Sequence, residues 1–229
     1  MIKKFTIYGE RCSGTNYLQN IIEINFEIIF ILDHGRKHFF GFNDHLLKNS
    51  DDTLFLCIIR DPVDWIISFY RKKYHLPLKY KYNLNEQENL DEFLNKEFWS
   101  FYDKNKNRDI SKEIMEDRNI YTGERYKNIF EMRHTKIRWM IEDLPKKVKN
   151  CIILKYEDLI NDFENTVKKI RDIGLKVRDN INFPLNSSDY KNIRGWPYIK
   201  KINDIEPKII LDNQNLIKFY EEKLGYITN

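Results

Sequence analysis

The residues best suited to chemistry stand in the first third of the chain. GERCSGTN, Gly9 to Asn16, follows a β-branched and aromatic run (KKFTIYG, residues 3–9). It precedes a segment in which Tyr17, Leu18, Ile21, Ile22 and Ile24 recur near helical spacing. A strand, a glycine loop and a helix in that order aim backbone N–H groups and a helix N-terminus at one point, which is an anion site. Gly9 and Gly14 allow the backbone to approach a phosphate closely. A second segment, IIRDPVDWIISFY, puts Arg60, Asp61 and Pro62 directly after an apolar run, with Ser68 eight positions beyond Arg60. The planar guanidinium fork of an arginine pairs with phosphate through two hydrogen bonds. Proton-transfer candidates cluster in DHGRKHFFGF as Asp33, His34, Lys37 and His38, and three of the five histidines (His34, His38, His45) lie close together there.

Four apolar runs must hold these groups in place: residues 3–9, 28–32, 53–59 and 151–156. They are nearly continuous in apolar residues and do not alternate, as expected for parallel strands covered by helices on both faces. Helical patterns separate them, over 62–74, over 124–144 with Ile129, Met132, Ile137 and Met140 near one stripe, and from Asn161 or Asp162 to Gly174. NQNLIKFYEEKLGY adds a last helix. The expected fold is therefore α/β, a central mostly parallel sheet of four to five strands with helices on both faces. In such sheets ligands bind outside the carboxyl ends of the strands, and both Arg11 and Arg60 stand at such ends. Residues 75–123 are polar and rich in Tyr, Asn and Lys, and read as a helical lid or acceptor-side insertion in a single domain spanning 1–229.

Composition narrows the function classes. The 229 residues carry 39 basic and 35 acidic groups, a net charge of +4, with the charges interspersed. That is a solvated surface with local anion sites and no nucleic-acid track. No alanine occurs, while Ile, Lys and Asn are abundant, so a single Lys or Asn is weak evidence and an Arg, Gly or Pro says more. Cys12, Cys57 and Cys151 form neither a disulfide framework nor a metal-binding pattern, and no metal is expected. No apolar run approaches the roughly 20 residues that cross a bilayer, and no signal peptide is evident, so a cytoplasmic protein is the expectation.

The loop spacing is similar to the nucleoside-triphosphate loop G-x4-G-K-[ST], with Thr15 at the Lys position and Asn16 at the magnesium-binding position. Losing both suggests a ligand with fewer phosphates and no magnesium. GERCSGTNYL and IIRDPVDWIISFY together resemble the 5′-phosphosulfate loop and the 3′-phosphate motif of the sulfotransferase superfamily, which uses 3′-phosphoadenosine-5′-phosphosulfate (PAPS). ILKYEDLINDFENTVKKI and LIKFYEEKLGY resemble its later segments, in family order.

The resemblance implies a fold like that of the nucleotide kinases, PAPS as donor and 3′,5′-bisphosphoadenosine (PAP) as product. The main-chain N–H groups of Ser13, Gly14, Thr15 and Asn16 would hold the 5′-phosphosulfate, and Arg60 with Ser68 the 3′-phosphate. Arg194 and Gly195 partly echo a C-terminal element that meets the same phosphate. Where the cytosolic branch has a loop Lys, this chain has Cys12, so Arg11 is the candidate cation, with Lys37 as a second. His38 stands 22 positions before Arg60, a separation comparable to that of the family's catalytic His, and is the expected base, with His34 in reserve. The acceptor would be a hydroxyl of a small molecule or carbohydrate. A nucleotide or nucleoside kinase and a non-catalytic PAP-binding protein are the alternatives. Tyr156, Glu157 and Asp158 read as a helix lead-in.

Overall fold

A computed structural model of the chain describes residues 1–72, 75–76, 89–101, 113–178 and 205–227. Among them are four strands: β1 (Lys4–Gly9), β2 (Ile29–Phe30), β3 (Thr53–Ile59) and β4 (Asn150–Lys155). They form one wholly parallel sheet in the order β2-β1-β3-β4. The helices in chain order are α1 (Thr15–Asn25), α2 (Pro62–Lys72), α3 (Leu90–Asn95), α4 (Ile129–Arg138), α5 (Leu144–Lys147), α6 (Tyr156–Asn161), α7 (Phe163–Arg171), α8 (Pro207–Leu211) and α9 (Lys218–Lys223). A π-helical turn, Trp139–Asp143, joins α4 to α5. The α/β architecture read from the four apolar runs is the one observed.

Alternation within the strands decides the layers. Phe5, Ile7, Leu54, Leu56, Ile58 and Leu154 pack on one face of the sheet against α1, α6 and α7. Tyr8, Phe55, Cys57 and Ile59 pack on the other, against Ile137, Trp139, Met140 and Leu144. β3 is buried at all seven positions, so neither face of it can be polar, and its run of apolar residues follows. The second apolar run behaves differently. β2 is only two residues long at the sheet edge, with Ile29 68% and Leu32 55% exposed. It pairs only with Lys4 and Phe5 before the chain leaves the sheet, so its sequence looked more interior than its position is.

A third apolar cluster lies among the helices. Trp65, Ile66 and Phe69 of α2 meet Phe93 and Leu94 of α3, Phe98, and Ile129 and Phe130 of α4. Described parts of 75–123 thus pack as a helical layer on α2 and α4. α4 begins at Ile129, later than the amphipathic pattern suggested, because the Asn128 side chain accepts the Glu131 N–H and caps it there. α7 ends before Gly174, which takes the left-handed conformation (φ +91°) expected of a stop residue. None of the helices among the described residues is long and apolar enough to cross a membrane.

Candidate functional site

β1 runs into the loop Glu10–Gly14, and α1 starts at Thr15. Two glycines are required by the packing there. A Cβ on Gly9 would stand 2.7 Å from the Ile58 carbonyl oxygen and from Ser13 Oγ. A Cβ on Gly14 would stand 2.4 Å from the Tyr156 ring, and Gly14 also has φ +98°. Cys12 takes a left-handed turn position at φ +66°. Burial pushes its thiol up to about 11, against the hydrogen bond it makes to Ser68 and the nearby charges of Arg11 and Arg60. It is protonated at neutral pH and serves as a packed spacer.

Four successive loop carbonyls are taken by donors from four places. The Gly9 oxygen accepts from His38 Nδ1 at 2.8 Å, Glu10 from Ser13 Oγ at 2.7 Å, Arg11 from Trp65 Nε1 at 2.7 Å, and Cys12 from Arg60 Nη1 at 3.2 Å. With these acceptors committed, and the Ser13 N–H itself spent on the Glu10 carbonyl at 3.1 Å, the donors left at the turn are the N–H groups from Gly14 onward. The first turn of α1 has no intrahelical acceptors for its N–H groups, and Gly14 offers no side-chain cap. An exposed anion would satisfy these donors and the helix dipole together.

The segment after β2 docks onto this loop. Gly9 N–H donates to the Lys37 carbonyl at 3.0 Å. The Lys37 ammonium bonds Asn16 Oδ1 at 2.9 Å and also Gln19 Oε1, over the Phe30 ring. A carbonyl can only accept, so His38 Nδ1 carries the proton and Nε2 the lone pair. Burial pushes the His38 pKa down to about 3, and the Arg11, Lys136 and Lys37 charges add to this against the Gly9 hydrogen bond. His34 is differently employed: both its ring nitrogens are engaged, Nδ1 with the Leu46 carbonyl at 2.6 Å and Nε2 with Thr53 Oγ1 at 3.2 Å. A shallow aromatic depression that includes Phe39, Phe40 and Trp139 adjoins the segment.

Arg60, at the end of β3, is 6% exposed. Its guanidinium lies 4.8 Å over the Tyr156 ring, Nη2 reaches Asp64 Oδ2 at 3.3 Å, and the buried Nε has no partner among the described residues. Ser68, two turns along α2, meets the loop through the Cys12 thiol. The chain thus gathers Ser13 to Asn16, Lys37, His38, Arg60 and Ser68 around one turn. Arg11 points elsewhere. It is 3% exposed, with Nη1 on Ser100 Oγ at 2.6 Å, Nη2 on Asp117 Oδ2 at 2.9 Å, and Phe69 and Phe98 stacked about it. Arg194 and Gly195 lie outside the described residues. The acidic Tyr156–Asp158 stretch opens α6, with Glu157 accepting from the Asp61 N–H at 3.0 Å.

Underneath sits a set of charges that no motif in the sequence marks. Arg133 bonds Glu221 through Nε at 2.6 Å, Glu10 through Nη1 at 2.9 Å, and the Arg60 carbonyl through Nη2 at 2.8 Å. Lys136 bonds Asp117 and, at 2.8 Å, the His38 carbonyl. Burial pushes the Glu10 pKa up to about 7 despite Arg133 and Lys136. Burial alone would raise Asp117 too, but Arg11 and Lys136 hold it below its usual range. Ile129, Arg133, Lys136 and Met140 follow one helical stripe, so charges on an otherwise apolar face were the available signal. Among the described residues, no group of three or more His, Cys, Asp or Glu side chains is placed to hold a metal ion.

Two measurements test this geometry. Arg133→Met leaves Glu10 and Glu221 buried without their cation. We expect it to destabilise the fold by about 3–5 kcal/mol in denaturant titration, and a loss under about 1 kcal/mol would contradict the network. The second is pH dependence. His38 has a folded pKa below its unfolded value of 6.5, so its stability contribution is complete above pH 6.5 and is lost as pH falls toward 3. Glu10, raised from 4.5 to about 7, acts in the opposite sense, its contribution lost as pH rises through that window. The two variants share Glu10, so it cancels in a comparison. The wild type should lose stability more steeply than His38→Asn between pH 6.5 and about pH 4. Parallel curves would show that the ring is not shielded as described.

No protein-family profile matches the chain, and no curated protein matches it. Among solved structures the chain is similar to a crystal structure of the mouse sulfotransferase SULT7A1 complexed with PAP, at 16% identity and a TM-score of 0.37. The match covers 84% of this chain and 63% of that one, so the chain spans under two thirds of the length of the protein it matches.

Proposed function

We propose that the chain is a sulfotransferase that takes PAPS as donor and passes the sulfuryl group to a hydroxyl. The observation that supports this reading is the meeting, at the carboxyl ends of adjacent parallel strands, of two elements whose free donors suit anions. One is the uncapped first turn of α1 after β1. The other is Arg60 after β3, tied to the loop through the Cys12 carbonyl and left with a buried, unpartnered Nε. Two anionic groups on one nucleotide match two such elements. A nucleotide with its phosphates in a single chain would address only the loop. Thr15 and Asn16 stand where a kinase loop would carry its Lys and its magnesium-binding hydroxyl.

In this reading the N–H groups of Gly14, Thr15 and Asn16 bind the 5′-phosphosulfate, with Ser13, whose N–H is held by the Glu10 carbonyl, setting the turn, and Arg60 and Ser68 bind the 3′-phosphate. Lys37, held at the loop by Asn16, takes the part of the loop cation and stabilises charge growing on the leaving oxygen. Arg11 anchors the loop from below through Asp117. His38 is the base. The Gly9 carbonyl accepts from Nδ1 and so fixes the tautomer that leaves Nε2 to accept a proton. The donor supplies the sulfuryl group, and the protein orients the acceptor oxygen in line with it. The acceptor is a hydroxyl compound, with a carbohydrate among the candidates. Arg194 and Gly195 complete the 3′-phosphate site in this proposal.

Thermal shift with PAP, AMP and ATP with magnesium tests the reading. A ligand at 100 times its Kd adds about 2.7 kcal/mol of stability. PAP should stabilise more than AMP, and Arg60→Ala should erase the difference. A preference for ATP with magnesium would favour the kinase alternative instead. With sulfur-35-labelled donor and a hydroxyl panel, His38→Ala should lose roughly 10²–10⁴ in rate while PAP affinity changes little. Binding of PAP without any transfer would leave a non-catalytic bisphosphate-binding protein.

A further inference from the structure

The surroundings of Arg60 say more than that it receives an anion. Its guanidinium has two edges. The outer nitrogen Nη1 is spent on the Cys12 carbonyl at 3.2 Å, which ties the arginine to the loop. The other edge consists of Nε and the adjacent Nη2. Two parallel bonds from one such edge are what a phosphate uses when it pairs with arginine side-on. On this edge Nη2 is occupied by Asp64 Oδ2 at 3.3 Å, and Nε has no partner among the described residues. The edge is therefore half filled by a carboxylate of the chain itself.

The two partners are unequally placed. The Arg60 side chain is 8% exposed, whereas the Asp64 side chain is 47% exposed. The arginine is fixed from beneath by the Tyr156 ring and from the side by the loop. Asp64 stands at the solvent side and is not needed to cap α2. That task belongs to Asp61, whose Oδ1 accepts the N–H groups of Val63 at 2.9 Å and Asp64 at 3.0 Å. A half-exposed ion pair four residues apart is weak, so this carboxylate is displaceable. The fixed cation stays where it is when Asp64 swings away.

We infer that Asp64 is a resident counter-ion of the Arg60 site, giving way to a group that brings more negative charge than a carboxylate. The inference rests on the reading that Arg60 receives a nucleotide phosphate. A phosphomonoester dianion replaces Asp64 and takes both Nε and Nη2. A ribose hydroxyl or a singly charged group gains too little to displace it. Asp64 therefore costs affinity for the dianion and leaves the binding of a nucleotide with a free 3′-hydroxyl nearly unchanged. This differs from a role in orienting Arg60, for which removal of the carboxylate would weaken binding.

The test is calorimetric titration of PAP and AMP into the wild type, Asp64→Asn, Arg60→Ala and the double variant. Asp64→Ser serves as a second substitution, and circular dichroism reports that each is folded. Asp64→Asn should bind PAP about three- to tenfold more tightly, with AMP within about twofold of wild type, in keeping with loss of one weak competing ion pair. In the Arg60→Ala background the same substitution should change nothing, because the site it guards is gone. Unchanged or weaker PAP binding by both Asp64 variants, with Arg60→Ala still selectively weakening PAP, would overturn the counter-ion role and leave the phosphate reading standing. Equal weakening of PAP and AMP by Arg60→Ala would remove the phosphate reading and this inference with it.

Discussion

Arg133 is the residue on which the site depends. One guanidinium, 1% exposed, holds Glu10 at the start of the loop, Glu221 in the C-terminal helix and the carbonyl of Arg60 at the end of β3. Those three points belong to segments far apart in sequence, and the geometry of the candidate site is their relative position. Beside it Lys136 holds Asp117 and the His38 carbonyl, and Asp117 in turn holds Arg11. Acidic and basic groups match in number: Glu10, whose pKa burial pushes up to about 7, with Asp117 and Glu221, faces Arg11, Arg133 and Lys136. A buried set of ions is tolerable only in that condition, since each unpaired member would cost several kcal/mol. Replacing the set by apolar residues of similar volume could be as stable, so its justification is directional. Hydrogen bonds fix orientation, and apolar packing alone does not.

That directionality explains the division of labour between the loop's two polarities. Every carbonyl from Gly9 to Cys12 is tied to a donor below or beside it. The N–H groups at the start of α1 have neither an intrahelical acceptor nor a side-chain cap. Holding the acceptors is what presents the donors, and it requires His38, Trp65 and Arg60 to arrive from three other segments. Arg60 and His38 therefore serve both as loop clamps and as groups the proposed chemistry would use. Binding and rate are therefore measured separately for a substitution at either.

Much of this was legible in the sequence. The apolar runs at 3–9, 53–59 and 151–156 became β1, β3 and β4 within a residue or two; β3 is buried throughout and β1 nearly so, while β4, at an edge of the described sheet, is mostly half-buried. The second run misled as to position: an edge strand can be as apolar as a central one, and composition does not reveal that only two of its residues pair. The loop and Arg60 were also legible, since their spacing is local. Arg11 was the instructive case. Its position beside the loop suggested a ligand cation, yet its side chain turns into a cage of Phe69, Phe98, Ser100 and Asp117. All four lie far along the chain.

The sequence by itself determined the strand order of types, the glycines that a tight loop demands, and the residue kinds able to bind phosphate. These follow from short-range sterics and from burial patterns that repeat within a few residues. Only the tertiary structure decided which of those residues face one another. It brought Lys37 to Asn16 across 21 positions, set Tyr156 against Gly14, and chose Arg133 and Lys136 from a helix of unremarkable charge to hold the loop. The physical reason is that ion pairs and hydrogen bonds between distant segments depend on how three packed layers close. The chain records that closure only as a few charges on an apolar stripe.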